Sequence, residues 1–479
     1  MISFAPTAKL FGFQQRCVCS SFRKRLGVKL QFSSVPESKV LSSLDEECSD
    51  FLPWLEQISG AKISNVLSIG RSTYGRSLFA SKVILAGDCL LKVPYNAQIT
   101  QDELPPCVKG SLIDEVGSIG KLAAVIIIEK RKGQNSRWAP YITRLPQPED
   151  MHSTIFWSED ELGMIHCSTI HKETAKQKAQ IEKEFSAVAH ALQRHLPEVH
   201  ESITLKDFMH AYALVGSRAW ETSKGISLIP FADFMNHDGF SESIVVDDED
   251  EQLSEVTADR NYNPGEEVFI SYGRFSNATL SLDFGFTLPY NIHDQVQVKM
   301  EVENRDPLRE MKLELLQRHR TPSVKNIFHS SWDAFTIKEV KSAKGKGKGL
   351  PQSLRAFARI LCLTSPQELS DLSKEAAQKD GRLARLPLND SGKEFQAHQL
   401  LSSHISKLIE EHTSSIEALE ASDPHHSSRR FAVRRQMARN LLVGELRVLR
   451  SAAAWLSHYC TTLLPQPVNL PIPLITDLS

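Results

Sequence analysis

The sequence predicts an α+β fold: a small β-rich domain split by a helical insert, followed by an all-α domain. Three observations predict it. Short apolar stretches punctuated by Gly and Pro occupy residues 69–94 and return at 226–229 and 267–272, as in a small twisted sheet. Between about 100 and 215 the apolar spacing becomes helical, as in Ile181, Phe185, Val188 and Leu192, one face of a helix ended by Pro197. Beyond about 300 helical spacing resumes, and Leu442, Leu446, Leu449, Ala453 and Leu456 form a stripe on a last long helix.

Along the chain, Phe51-Leu52-Pro53-Trp54-Leu55 opens a short helix. A glycine-rich turn from Ile69 to Ala80, centred on Tyr74-Gly75-Arg76, precedes the β-type Lys82-Val83-Ile84 and Cys89–Pro94. The expected divisions are a leader over 1–45, the first part of the β-rich domain over 46–99, the helical insert over 100–210, the second β-rich part over 211–295, and the helical domain over 296–479. Lys341–Gly349, KSAKGKGKG, reads as a flexible basic loop, and the acidic Asp247–Glu251 as a solvated hairpin tip.

Composition narrows the function. The 479 residues are too many for one core, so two or three domains are expected. A formal net charge of -2 gives no bias toward nucleic acid or a membrane surface. The longest apolar run, Leu122–Ile128, is far short of the ~20 residues of a membrane span. The eight cysteines are scattered without zinc spacing, so free thiols and no metal are expected. Before Glu37 there is no acidic residue, while Lys9, Arg16, Arg23, Lys24, Arg25 and Lys29 stand among serines. That is the composition of an organelle transit peptide, and composition alone does not separate chloroplast from mitochondrion.

Three segments carry chemistry. Glycine at 75 lets main chain approach a ligand. Pro230–Asp238, PFADFMNHD, ends in Asn236-His237, whose side chains both donate and accept. Asn263–Gly273, NPGEEVFISYG, runs from a turn into an apolar strand that ends at Tyr272. Each alone is most simply a tight turn, a hydrogen-bonded pair or a packed aromatic.

In this order and spacing, with Arg218 between the first two, the segments resemble the SET domain. More narrowly, the chain is similar to the plant Rubisco large-subunit lysine methyltransferase group, whose SET domain is split by a helical insert and followed by a helical substrate-binding domain. Trp138–Pro146, Ser217–Trp220, Leu282–Phe286, Leu354–Arg359 and Gly444–Leu449 resemble further segments of that group, over roughly residues 46–465.

The resemblance implies a protein-lysine N-methyltransferase, here acting on an organellar protein as a monomer, with S-adenosyl-L-methionine as cofactor. A histidine acceptor and a catalytically inactive scaffold are the alternatives. It implies that Tyr74, Gly75, Arg76, Arg218, Asn236, His237 and Tyr272 hold the cofactor, that Arg218, Asp233 and Phe284 meet the substrate, and that Tyr272 is the catalytic tyrosine. Several positions depart from the group's pattern. The second glycine of the turn is Ser77, Phe284 stands for a channel tyrosine, and Thr222 stands for a second arginine. No counterpart of another channel tyrosine follows His237. In the last helix Arg429, Arg430, Arg434, Arg435, Arg439, Arg447 and Arg450 face a single acid, Glu445. An internally paired or solvated face is the simple reading, and a face that docks an acidic protein is the one the resemblance suggests.

Overall fold

A computed structural model describes residues 43–44, 48–112, 115–201, 203–319, 334–378, 382–384, 386–421 and 428–464. The leader, apart from Ser43 and Leu44, lies outside the described residues. The chain forms two compact units. One comprises Met1–Trp157, as far as it is described, with Lys172–Phe275 and Thr279–Phe286; the other comprises Ser158–His171, Ser276–Ala278 and Thr287–Ser479.

The first unit opens with β1 (Ser43–Leu44), α1 (Phe51–Ser59), β2 (Leu67–Ser72), β3 (Gly75–Ala80), β4 (Cys89–Pro94) and β5 (Ile99–Thr100). The insert follows with α2 (Pro106–Ser111), α3 (Ser118–Lys132) and α4 (Ala139–Ile142). Next come α5 (Glu159–Gly163), which belongs to the second unit, and α6 (Ile170–His195), α7 (Pro197–His200) and α8 (Leu205–Arg218). The strands resume at β6 (Ala219–Thr222), β7 (Gly225–Leu228), β8 (Val245–Asp248) and β9 (Leu253–Thr257). Three small antiparallel sheets result, ordered β1-β2-β3, β4-β9-β8 and β5-β7-β6. Each joins strands from before and after the insert or closes a local hairpin, so the insert interrupts the sheet sequence without displacing it.

Helix α3 is apolar all round and buried from Leu122 to Glu129, the pattern of a core helix. It packs against α8, α4, β5 and β7. The acidic run lies at the tip between β8 and β9 as expected, with Asp247 accepting from the Ser223 amide at 2.8 Å. The strand expected at Glu267–Tyr272 is absent as a regular element. Only single bridges form there, at Phe79–Glu267 and, in parallel, at His237–Ile270.

The second unit adds α9 (Asn277–Thr279), β10 (Gln295–Lys299), α10 (Arg309–Arg318), β11 (Ala334–Lys338), α11 (Gln352–Leu361), α12 (Pro366–Gln378), α13 (Ser391–Ala421) and α14 (Arg429–Leu463). It is mainly helical, with one antiparallel ribbon, β10 against β11. Val296, Val298, Phe335 and Ile337 from the ribbon share a core with Leu354, Leu401, Leu449 and Leu456. Each fully buried side chain of this kind contributes about 1.5–3 kcal/mol. The basic loop is anchored rather than flexible. The Trp455 indole donates to the Gly345 carbonyl at 2.8 Å, and Val340 N–H donates to Ser451 at 2.9 Å. No helix among the described residues is long and apolar enough to cross a membrane.

Four of the seven arginines of α14 are engaged within their own unit, while Arg429 and Arg450 are exposed. Arg434 is 2% exposed and pairs with Glu161 at 2.6 Å. Arg435 donates to the Leu419 carbonyl at 2.9 Å, Arg439 pairs with Glu420 at 3.1 Å, and Arg447 pairs with Asp294 and Glu339. A guanidinium on a helix packed among other elements lowers its desolvation cost by finding carboxylates and carbonyls inside its own unit.

Glu445, the lone acid of that stretch, is buried and accepts from Ser168 at 2.8 Å and from His412 Nε2 at 2.9 Å. His412 Nδ1 lies 2.7 Å from the Leu408 carbonyl. Both partners of the ring accept only, so both nitrogens must carry protons. Burial pushes this imidazole down, but the Glu445 carboxylate and the Leu408 carbonyl outweigh it, and the net direction is up. Glu411 adds to that direction, and the Cys167 thiol and the Asp294 carboxyl are further titratable groups near Glu445. A raised folded-state value contributes stability that is complete below the unfolded value of ~6.5 and is lost as pH rises through the folded value. Comparing His412→Gln with wild type, the loss in thermal midpoint is therefore expected to be largest near pH 6 and to shrink above neutrality. A difference that stays constant across that range would refute the charged imidazole.

Candidate functional site

The first unit gathers the sequence-distant candidates around residues 266–272. Glu266 accepts from Ala80 N–H at 2.9 Å, and Val268 N–H donates to Leu78 at 2.9 Å, which ties the segment to β3. Two residues on it turns to the other side. Ile270 N–H donates to the Asn236 carbonyl at 2.9 Å, and its own carbonyl accepts from Asp238 N–H at 3.1 Å. The segment thus lies between the β2–β3 hairpin and the Asn236–Asp238 strip, bonding alternately to each. That explains why an apolar, strand-like sequence yields isolated bridges here.

At the hairpin, Gly75 has φ +100°, a conformation L side chains rarely adopt. Tyr74 beside it is 72% exposed, and its amide donates to the Ser72 hydroxyl at 3.1 Å. Arg76 reaches back to the Arg144 carbonyl and lies over the Phe234 ring at 5.4 Å.

The Pro230–Asp238 strip starts from a strained residue. Phe231 is buried with φ 75°, which costs about 1–3 kcal/mol and persists only where its surroundings impose it. The short turn that follows, Ala232–Phe234, buries Asp233. Arg218, at the end of α8, donates to the Asp233 carbonyl at 2.7 Å and to its carboxylate at 3.1 Å. The Tyr141 hydroxyl donates to the same carboxylate oxygen at 2.8 Å. Burial pushes the Asp233 carboxyl up, against the guanidinium and the phenol that hold its charged form. The other carboxylate oxygen, Oδ1, is buried without a hydrogen-bond partner among the described residues.

Tyr272 ends the threaded segment. Its amide donates to His237 Nδ1 at 3.1 Å, and its hydroxyl donates to the Met235 carbonyl at 2.7 Å. Its ring stacks between His237, with centroids 5.1 Å apart, and Phe284, at 5.3 Å. Phe275 and Phe286 extend this wall. Burial pushes the Tyr272 hydroxyl up to about 12, the nearby Arg218 charge notwithstanding. It is therefore a neutral donor at physiological pH. Phe284 closes a π-turn, Leu280–Phe284, and Gly285 follows at φ +77°, where a Cβ would lie 2.8 Å from the Ser153 amide nitrogen. That close approach is why the segment reads Asp283-Phe284-Gly285.

The expected residues thus fall into three groups: Tyr74, Gly75 and Arg76 at the open hairpin; Asn236, His237, Tyr272 and Phe284 along the aromatic wall; and Arg218 with Asp233 as a buried pair. Thr222 donates to the Gly225 carbonyl and lies 2.9 Å from Ser227 within the β6–β7 hairpin. Sequence reasoning misses Tyr141, visible there only as part of an insert motif, and Glu267, which accepts from Ser72, Ser77 and Asn236. No local signal distinguishes either residue, because their partners lie 92 and 190–195 positions away or, for Asn236, 31.

Comparison with known proteins agrees with this arrangement. The SET domain family model matches residues 75–273, and the Rubisco LSMT substrate-binding model matches 303–449. The actin-histidine N-methyltransferase of Homo sapiens is 28% identical over 427 residues, 84% of this chain and 67% of that protein. Its Canis lupus familiaris counterpart is 28% identical over 438 residues, 86% and 70% respectively. The solved structure of the SET domain of LSMT bound to lysine and AdoHcy superposes with a TM-score of 0.68 at 21% identity, covering 88% of this chain and 93% of that one. Rubisco LSMT bound to AdoMet gives 0.67 over the same shares at the same identity.

The Arg218–Asp233 pair yields a direct test. Asp233→Ala leaves a largely buried guanidinium without its carboxylate, and the expected loss is about 3 kcal/mol, read as a lower urea midpoint. A midpoint equal to wild type would show that other groups neutralise Arg218.

Proposed function

This chain belongs to the SET-domain methyltransferases of the Rubisco LSMT-like group, and we propose that it methylates a side-chain nitrogen of another protein, with lysine Nζ as the first reading. Tyr272 carries the proposal: a neutral phenol donating to the Met235 carbonyl and flanked by aromatic rings.

The residues present fit S-adenosylmethionine. The open turn at Tyr74–Arg76 offers main-chain groups, and the half-buried Asn236 offers an amide oxygen. Arg76 supplies positive charge suited to a carboxylate end, while Arg218 is already paired with Asp233. When bound, the cofactor supplies an electrophilic methyl group that passes to the nitrogen. The protein's own task is orientation and desolvation. The wall of Tyr272, Phe275, Phe284 and Phe286 is poor in polar atoms, and such surroundings disfavour an ammonium ion. A lysine starts near pKa ~10.4, so this helps it enter as the free amine. With Tyr272 neutral, the released proton goes to solvent rather than to the phenol.

A second reading, a histidine acceptor, is favoured by two observations. The relatives at 28% identity carry that activity, and Phe284 puts a ring without a hydroxyl against Tyr272. An imidazole is flat, matches a stacked aromatic wall, and already has a free lone pair at neutral pH.

The test is incubation of the protein with labelled S-adenosylmethionine and a plastid extract, followed by mass spectrometry of labelled proteins. Label on lysine is expected, with activity rising steadily from pH 7 to 9. Label on histidine, with activity level above about pH 7, would move the acceptor. No label from protein shown to bind the cofactor would overturn both readings and leave a scaffold role. Tyr272→Phe is expected to lower turnover about 10²-fold while cofactor affinity is kept.

We also propose an organelle, on the acid-free basic composition before Glu37, and the chloroplast before the mitochondrion, on the match to the Rubisco LSMT substrate-binding family. A fluorescent protein fused behind residues 1–45 should enter plastids; one left in the cytosol would refute the placement.

A further inference from the structure

Glu267 is held by more donors than a structural tie requires. A single carboxylate oxygen, Oε1, accepts from the Ser72 hydroxyl at 3.2 Å, from the Ser77 hydroxyl, and from Asn236 Nδ2 at 2.9 Å. Ser72 ends β2, Ser77 lies in β3, and Asn236 sits on the far side of the threaded segment. The main chain already joins these elements through Ala80–Glu266, Leu78–Val268 and Asn236–Ile270. The carboxylate therefore adds something other than attachment.

What it adds is polarity. An asparagine amide has two nearly isosteric ends, and its surroundings decide which end points where. A carboxylate accepts and cannot donate, so the Asn236 atom 2.9 Å from Glu267 must be the NH2 group. Oδ1 then points away from Glu267 and meets no donor among the described residues. Asn236 is half-buried and linked through Glu267 to Ser72 and Ser77 of the β2–β3 hairpin. Without Glu267, either end of the amide could be presented to a ligand. With it, only an acceptor is.

We propose that Glu267 is a positioning residue that locks Asn236 as a hydrogen-bond acceptor, so that the site selects an N–H donor on S-adenosylmethionine. The proposal rests on the cofactor reading above and specifies how that site discriminates. The electrostatic logic is local. A charge-assisted bond is roughly twice as strong as a neutral one, and here three donors share in stabilising the anion that imposes the orientation.

The test is a polarity swap, read by calorimetric binding of S-adenosylmethionine to the full chain. Asn236→Asp sets a carboxylate against Glu267 and should weaken binding about tenfold or more at pH 8. Affinity should recover as pH falls and the pair takes up a shared proton. Adding Glu267→Gln to that variant restores one donor between two acceptors. With its nitrogen in the place of Oε1, the amide introduced at position 267 can donate to the carboxylate introduced at position 236 and to a serine hydroxyl, which can turn to accept. The double variant should bind within about threefold of wild type and lose the pH dependence. A merely structural Glu267 would give no such rescue, and a double variant no tighter than the single one overturns the proposal. Should Asn236→Asp fail to fold, Glu267→Ala decides the matter. The ligand-free thermal midpoint should drop, because the buried Ser77 hydroxyl loses its acceptor, but cofactor affinity measured well below that midpoint should still fall about tenfold, and unchanged affinity there would refute the role. Absence of binding by wild-type protein would instead sink the cofactor reading on which the proposal stands.

Discussion

The site depends on one constraint: the main chain of residues 266–271 has to satisfy its hydrogen bonds on two sides at once. On one side it pairs with Leu78 and Ala80, on the other with Asn236 and Asp238, and Ser271 N–H donates to the Ser243 carbonyl at 2.7 Å. Buried amide and carbonyl groups left unpaired would each cost free energy comparable to a lost hydrogen bond. Satisfying them here brings together segments some 190 residues apart. Once the backbone is settled, side-chain positions follow. Glu267 falls between the serines of the hairpin and Asn236, and Tyr272 falls beneath Met235 with its ring between His237 and Phe284.

Around that crossing the first unit manages charge by internal compensation. Asp233 is buried, and the Arg218 guanidinium and Tyr141 hydroxyl meet its carboxylate, so an ion stays inside at tolerable cost. Tyr272 is kept neutral by the same burial. The outcome is an aromatic, poorly hydrated wall next to an open, polar hairpin turn. A methyl transfer to nitrogen requires that pairing: polar recognition at one end and desolvation at the other.

The second unit applies the same rule to a different end. Arg359 and Glu394 form a fully buried bidentate pair at 2.7 and 2.8 Å, which the Tyr459 hydroxyl joins at 3.0 Å. Arg434, Arg435, Arg439 and Arg447 of α14 are likewise turned to partners of their own unit. A count of basic residues along that helix suggests a docking face, because sequence shows the charges without their partners. Glu161, Asp294 and Glu339 lie 273, 153 and 108 positions from the arginines they neutralise. The lysine–glycine loop departs from its expected flexibility for a related reason. Glycine-rich sequence is usually mobile, and only the Trp455 indole from the last helix shows what holds this one.

The sequence by itself determined the fold class, the interrupted β-domain, the helical character of the insert and of the C-terminal region, and the segments that carry chemistry. These rest on local properties: hydrophobic period, Gly and Pro punctuation, and ordered motifs such as Asn236-His237 and the run ending in Tyr272. Only the tertiary structure decided that residues 267–272 form a threaded crossing rather than a strand. The same holds for Tyr141 completing the Arg218–Asp233 pair, Glu267 setting the polarity of Asn236, and Arg434, Arg439 and Arg447 of α14 finding carboxylates within their own unit. The physical reason is common to all four. Hydrogen bonds and ion pairs act over about 3 Å in space, and nothing in the local pattern around either partner records which distant residue will arrive there.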